Sequence, residues 1–520
     1  MMLVLLAQRL KIAYPIFLVI AGLGISFIPG IPRIHLDPEI IFLLFLPPLL
    51  YEAAWYTSWK DFLKWKRSIA LYAFGLVFAT SIFVAYASVA LIPGFTLSLG
   101  FLLGGIISPP DAVAAGSVMK NIKVPRRILT ILEGESLVND ASSLIVFRFA
   151  LAAVLTGTFS FTVAVGDFFL AAGMGIVTGL VIANVMYVIH KFLPTSPAMD
   201  AALTLMTPYI IYLAAEHFHF SGVIGVVTGG LFISYRSHEI FTTGATRLNM
   251  TSVWQTLIFI MNAIVFILIG LELPNVVNGL GEHSIGEALV YGLIISAVTI
   301  VVRFIWVFPS THLPRLNSNI RNNEPNPGWK FPLVVAWAGM RGVVSLATAL
   351  SIPVLMTDGT NFPFRNLIIF ITFVVIFVTL VVQGLTLPLL IKLIKIKEID
   401  VLLPPEQQQA GMKLELDKIA LKRLDEKYAF EVENNELLGF FRDHLVNDVN
   451  VTRKKLDSLE CDDTEKHEVE LYAKVLKDIY GLQRKELFKL RKNKAYSDEQ
   501  IRHMVMQIDL EELKISGRDH

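Results

Sequence analysis

The chain has 520 residues, 54% of them hydrophobic and 17% charged, with a formal net charge of +1 and a mean hydropathy of +0.59. A soluble domain carries roughly 25% charged residues, and the shortfall lies in residues 1–400, where one apolar run follows another. The net charge says nothing about nucleic acid, because the basic residues sit in short segments between those runs, and no nucleic-acid partner is expected. A lone cysteine, Cys461, excludes a disulfide framework and fits a reducing cytosol.

The first residues, MMLVLLAQ, are apolar but too short to cross a bilayer and look like the end of a further helix. They lack the basic start and small-residue cleavage site of a signal peptide. Apolar runs then predict about twelve spans, at about 13–29, 39–56, 68–92, 97–118, 127–156, 163–189, 201–217, 221–235, 252–273, 286–308, 331–352 and 366–391. Alternate connections hold Arg9 and Lys11; Lys60, Lys64, Lys66 and Arg67; Lys120, Lys123, Arg126 and Arg127; Lys191; Arg236 and Arg247; Arg315, Arg321 and Lys330; and Lys392, Lys395 and Lys397. The opposite set holds only Arg33 and Arg365. Basic residues in short loops stay cytoplasmic, so the N-terminus and the C-terminal segment are expected in the cytoplasm. Residues 401–520 open at Pro404-Pro405 and carry amphipathic stripes (Leu414, Leu421, Leu424; Leu471, Val475, Ile479, Leu482, Leu490), with Ser497 and Gln500 as a capping box before Ile501, Val505 and Ile508. They read as a helical cytoplasmic tail beside a transmembrane domain of residues 1–400, either a solvated appendage or a regulatory element.

Charged groups at bilayer depth are expensive and face a cavity or a partner. The candidates are Glu52, Asp111, Glu133, Glu135, Asp140, Arg148, Glu272, Arg303 and Arg341. Two apolar spans cannot be unbroken helices. One contains Gly104-Gly105-Ile106-Ile107-Ser108-Pro109-Pro110-Asp111, and Pro109 and Pro110 each lack an N–H and crowd the preceding turn. The other, seven spans later, contains Gly339-Met340-Arg341-Gly342. Interrupted spans in corresponding places of two halves point to an inverted-repeat transporter with a midplane site. Between them, Glu133-Gly134-Glu135-Ser136-Leu137-Val138-Asn139-Asp140 places Ser136 and Asp140 on one helix face and Glu135 and Asn139 on a neighbouring one. Carboxylates with a hydroxyl form a hard-oxygen set suited to a small monovalent cation, without the imidazole or thiolate spacing of a transition-metal site.

The SPPDAVA, GESLVND and GMRG segments, in that order and on those spans, resemble the monovalent cation:proton antiporter family 1, the sodium/proton exchangers of bacteria and eukaryotes. PEIIFLLFLPPLLYEAAW (38–55) and FILIGLELP (266–274) resemble further signatures of its bacterial branch. The resemblance covers about residues 9–395 and implies an all-α polytopic membrane protein with two crossed broken helices and, commonly, one helix more at the N-terminus. It implies Asp140 as the ion- and proton-binding carboxylate, Asn139 as its paired asparagine, Asp111 as the second carboxylate, and Glu135 and Ser136 beside Na+. Arg341 would pair with Glu135 or lie near the crossing point, with Pro109, Pro110, Gly339 and Gly342 shaping the breaks. Pro110 stands where the family usually has Thr, so that position offers a backbone carbonyl and no hydroxyl. A homodimer in the plasma or inner membrane is implied as well.

Desolvation disfavours the charged form of a buried carboxylate, which opens it to a proton as well as a cation. One site with two mutually exclusive ligands in a two-state protein gives obligatory exchange: Na+, or Li+ or K+, against H+. Neutral Asn139 beside Asp140 predicts an electroneutral cycle. A K+/H+ antiporter of the same fold is the nearest alternative. A channel would use a repeated filter or a charge ring, and an enzyme would gather a serine, histidine or ligand cluster at one depth; neither pattern is present, and no cofactor is expected. Interfacial roles are expected for His217 and His219, structural ones for Glu52 and Glu272, and pairing or snorkelling for Arg148 and Arg303.

Overall fold

The structure, a computed structural model, describes residues 2–10, 13–28, 38–119, 122, 124–157, 161–280, 284–356, 359–396, 398, 405–460, 464–490 and 498–516. Cys461, Ser497, Pro404 and the loop cations Lys11, Arg33, Lys120, Lys123 and Lys397 lie outside the described residues. The chain divides into two compact units, residues 1–400 and 401–520. Among the described residues there is no named strand, only one isolated bridge between Leu355 and Asn361.

The first unit begins with α1 (Met2–Arg9), α2 (Tyr14–Ser26) and α3 (Pro38–Tyr56). Helix α4 (Trp59–Ala70) passes through a π-helical stretch, Leu71–Leu76, into α5 (Val77–Leu91). Then come α6 (Leu97–Ile107), α7 (Ala112–Met119), α8 (Arg126–Thr156), α9 (Phe161–Phe192), α10 (Pro197–His217), α11 (Gly222–Ile240), α12 (Gly244–Leu271), the short α13 (Leu273–Asn278) and α14 (Ile285–His312). The short α15 (Ser318–Asn323) leads to α16 (Lys330–Trp337) and α17 (Val343–Leu350). Last, α18 (Arg365–Val378) continues through a second π-helical stretch, Thr379–Gln383, into α19 (Gly384–Ile394). With α6/α7 and α16/α17 each taken as one interrupted span, this is an all-helical polytopic arrangement of about twelve spans. Among the described residues, eight helical stretches are long and apolar enough to cross a membrane.

The expected span at 68–92 starts earlier, at Trp59, because Ser58 caps the helix by accepting from the Asp61 N–H and the charged α4 is helical without being apolar. Similar hydroxyl caps open α6 (Thr96), α10 (Ser196), α11 (Ser221), α12 (Thr243) and α14 (Ser284). Helix α8 packs along α6, α4 and the first π-helical stretch, and α14 packs on α5, α16 and α18. In a second set, α10 and α11 pack on α9 and α3, while α12 lies along α2. The α2–α12 crossing is close because Gly22 and Gly270 face each other's backbones, where a Cβ on either would overlap a main chain. Phe169, Leu170, Val177, Val181, Val185 and Val188 stay exposed along α9, the face a bilayer would cover.

The second unit comprises α20 (Pro405–Lys427), α21 (Ala429–Asn434), α22 (Glu436–Glu460), α23 (Thr464–Leu490) and α24 (Asp498–Ser516). Helices α20 and α22 pack through Ala410, Leu414 and Leu445 and through the Arg442–Asp425 pair at 2.9 Å. Arg484 ties α23 to α24 through Asp509 at 2.6 Å. Within the expected stripes Leu414, Ile501 and Ile508 are buried, whereas Val475, Ile479 and Leu482 remain exposed.

Candidate functional site

Helix α6 ends at Ile107 because the next two ring nitrogens cannot continue its hydrogen bonding, and the chain resumes as α7 at Ala112. Helix α16 ends at Trp337 and α17 begins at Val343, with Gly342 as its N-cap. The two interruptions touch. The Asp111 N–H donates to the Met340 carbonyl at 2.7 Å. Gly342 lies so close to the Asp111 carboxylate that a Cβ there would overlap its oxygen.

Each break exposes helix ends that carry partial charge: positive where N–H groups are free, negative where carbonyls are free. Asp111 sits at the positive end of α7, and its Oδ1 accepts from the Val113 N–H at 2.8 Å. Arg341 serves the negative ends. Its Nε donates to the Ile107 carbonyl at 2.9 Å and its Nη2 to the Ser108 carbonyl at 3.4 Å, while Nη1 donates to the Gly339 carbonyl. The Arg341 N–H is held by Thr379 Oγ1 at 3.1 Å, at the start of the second π-helical stretch. Arg341 therefore lies at the crossing and does not pair with Glu135, because the freed carbonyls of two broken helices occupy its donors.

Glu135 has a different partner. Arg303 on α14 grips it with two bonds, Nη1 to Oε1 at 2.6 Å and Nη2 to Oε2 at 2.8 Å, and its Nε donates to the Val335 carbonyl at 3.2 Å. Both side chains are 1% exposed. Both Glu135 oxygens are taken, so the carboxylate expected among the cation ligands acts here as an ion-pair member joining α8, α14 and α16.

Three α8 residues face the first break. Ser136 Oγ accepts from the Ala112 N–H at 3.3 Å, and Asn139 Nδ2 donates to the Pro110 carbonyl at 3.0 Å. Asn139 Oδ1 is buried with no protein hydrogen-bond partner. Asp140 is 7% exposed and follows Asn139 on α8. Among the described residues no three His, Cys, Asp or Glu side chains gather in one place. The oxygens available are thus the two carboxylates, the Asn139 amide, the Ser136 hydroxyl and the Pro110 carbonyl, of which the last two and Asp111 Oδ1 already bond to protein N–H groups.

Of the remaining charged candidates, Glu133 is exposed and Glu52 half-buried, and Glu272 is buried at the end of α12. Arg148 pairs with Glu216 at 2.9 Å; His217 ends α10, and His219 follows in the turn with φ +59°. Sequence reasoning missed Thr379, whose hydroxyl holds the Arg341 N–H. Its only mark is polarity inside a strongly apolar span, the same mark carried by residues that merely bond their own helix.

Residues 1–393 match the transmembrane sodium/hydrogen exchanger family. A protein of Bacillus pumilus named as a sodium, potassium, lithium and rubidium/H(+) antiporter is 34% identical over 451 residues, 85% of this chain and 66% of its own length. Its namesake in Bacillus subtilis is 35% identical over 387 residues, 72% of this chain and 58% of its own. The chain thus spans less than two thirds of the length of these relatives. The solved structure of the sodium proton antiporter MjNhaP1 from Methanocaldococcus jannaschii superposes with a TM-score of 0.57 at 20% identity, covering 76% of this chain and 95% of that one, so the two share a fold. With the family match running through both broken helices and α8, this chain belongs to the sodium/hydrogen exchanger family.

Proposed function

We propose that the protein exchanges Na+ for H+ across the cell membrane by alternating access, with Asp140 as the carboxylate that both ions use in turn. The observation that carries this reading is the burial of Asp140 on α8, next to Asn139, whose side chain bonds the Pro110 carbonyl in the first break. Ionised Asp140 holds a dehydrated cation with help from Asp111 and the free Asn139 oxygen; once protonated it holds none. Loading by one ion excludes the other, so the protein reorients only when one of them is bound. Ser136 keeps the α7 start against α8, and the Glu135–Arg303 pair ties α8 to α14. Asn139 adds no charge, so one cation replaces one proton.

The N-terminus and residues 401–520, a helical tail, face the cytoplasm in this reading, as the basic connections require, and the working unit is a homodimer. The Bacillus relatives' names make Li+ and K+ the first alternative cargoes to Na+. The test is proton flux in proteoliposomes with Na+, Li+ and K+ added in turn. Wild type should respond to Na+, and Asp140→Asn should be inserted, folded and silent to every cation. Cation-dependent flux in that variant would remove Asp140 from the exchange step.

A further inference from the structure

A cavity of about 340 Å³ opens on the face opposite to the one where α2 begins, between the far end of α8, the first turns of α9 and the α10–α11 turn. Its lining includes Ala141, Ile145, Arg148, Asp167, Glu216 and His219. Ala141 adjoins Asp140 in sequence, and Arg148 stands about 12 Å further along α8 at 1.5 Å per residue. The cavity therefore follows α8 from the surface toward the proposed exchange site. Arg148 Nη2 meets both Glu216 oxygens, at 3.0 and 2.9 Å.

This pair joins two packing sets. Helix α8 packs mainly on α6 and α4 and meets α11 and α3 more lightly, through Leu137 and Ala141, whereas α10 packs on α9, α11, α12 and α3. The two halves are held unequally. Glu216 Oε1 also accepts from the Gly222 N–H at 3.2 Å, at the positive N-terminus of α11. Glu216 thus has a second bond within its own set, while the half-exposed Arg148 guanidinium reaches it from α8.

We infer that Arg148 and Glu216 are positioning residues for exchange: a latch at the outer mouth that holds the Asp140-bearing set in the conformation seen here and parts when that set moves. The inference rests on the alternating-access reading. A solvent-exposed pair suits such a latch, because its strength biases an equilibrium by a small factor without locking it. When α8 shifts, Glu216 keeps its bond to α11 and Arg148 meets water, so parting the pair leaves no buried charge unpaired.

The test uses the full chain with Cys461→Ser and a reporter thiol, Ile145→Cys, on the cavity wall. A membrane-impermeant maleimide applied from the outer face reads the population of this conformation. Arg148→Gln and Glu216→Gln should each slow labelling by about two- to fivefold. Each should raise the outer-face KM for Na+ by the same factor while changing the maximal rate less. The double variant should go no further than either single, and Arg148→Lys should recover most of the wild-type rate. Unchanged labelling and KM in Arg148→Gln, or single effects that add in the double, would overturn the latch. Flux that survives Asp140→Asn would overturn the exchange assignment and leave the labelling result standing, so the two failures are separable.

Discussion

Arg303 and Arg341 show how two cations on neighbouring spans come to opposite solutions. Arg303 faces a carboxylate and neutralises it with a two-point grip, while Arg341 faces only carbonyls and stabilises helix ends. Removing one member of a buried ion pair leaves the other uncompensated and costs about 3–5 kcal/mol. Arg303→Ala should therefore lower the melting temperature in detergent by several degrees and abolish exchange. The double variant Arg303→Met/Glu135→Gln, which removes both charges, should melt closer to wild type. Equal melting of wild type and Arg303→Ala would show that the pair carries no weight. Composition displayed each charge at bilayer depth, but both arginines precede or follow small and apolar residues alike. The choice of partner belongs to the placement of α14 on α5, α16 and α18, from which Arg303 reaches Glu135 of α8.

At the scale of elements, the breaks were legible because proline and glycine mark them chemically. The π-helical stretches were not, since Leu71–Leu76 has no residue that forbids an ordinary helix. Their cause is tertiary. Carbonyls in that stretch are claimed from outside, Leu71 by Trp306 Nε1 at 3.0 Å and Ala73 by Ser142 Oγ at 2.5 Å. That arrangement anchors α8 near Asp140. The crossing itself depends on a missing side chain, because Gly342 abuts the Asp111 carboxylate. Gly342→Ala should displace Asp111 and reduce Na+-dependent flux at least tenfold, with a stability loss of about 1–3 kcal/mol. Expression and melting measured beside flux will check it: wild-type flux in the alanine variant would mean that the crossing relaxes freely.

For the whole molecule, the decisive quantity is charge moved per cycle. One exchangeable carboxylate with a neutral Asn139 beside it predicts that the membrane potential does not drive exchange. Each net charge transferred would couple at about 2.3 kcal/mol per 100 mV, a factor of roughly fifty in the equilibrium. In sealed vesicles with a Na+ gradient, the final proton gradient should be the same with the potential clamped at zero or at −100 mV. A gradient that tracks the potential would bring Asp111 into the cycle as a second titrating acid, since Glu135 is held by Arg303.

Sequence by itself determined the membrane class, the approximate spans, the two breaks and the carboxylates at bilayer depth. Each follows from a local rule: apolar length, the missing N–H of Pro109 and Pro110, and the cost of charge in hydrocarbon. Tertiary structure alone decided which groups meet. It brought Asp111 onto Gly342, gave Glu135 to Arg303 rather than Arg341, and set Arg148 against Glu216 across two packing sets. Those partners are 68 to 168 positions apart where they are ion pairs. Helical periodicity fixes which face a residue occupies but not which helix lies against it, and only the packing of separate spans supplies that.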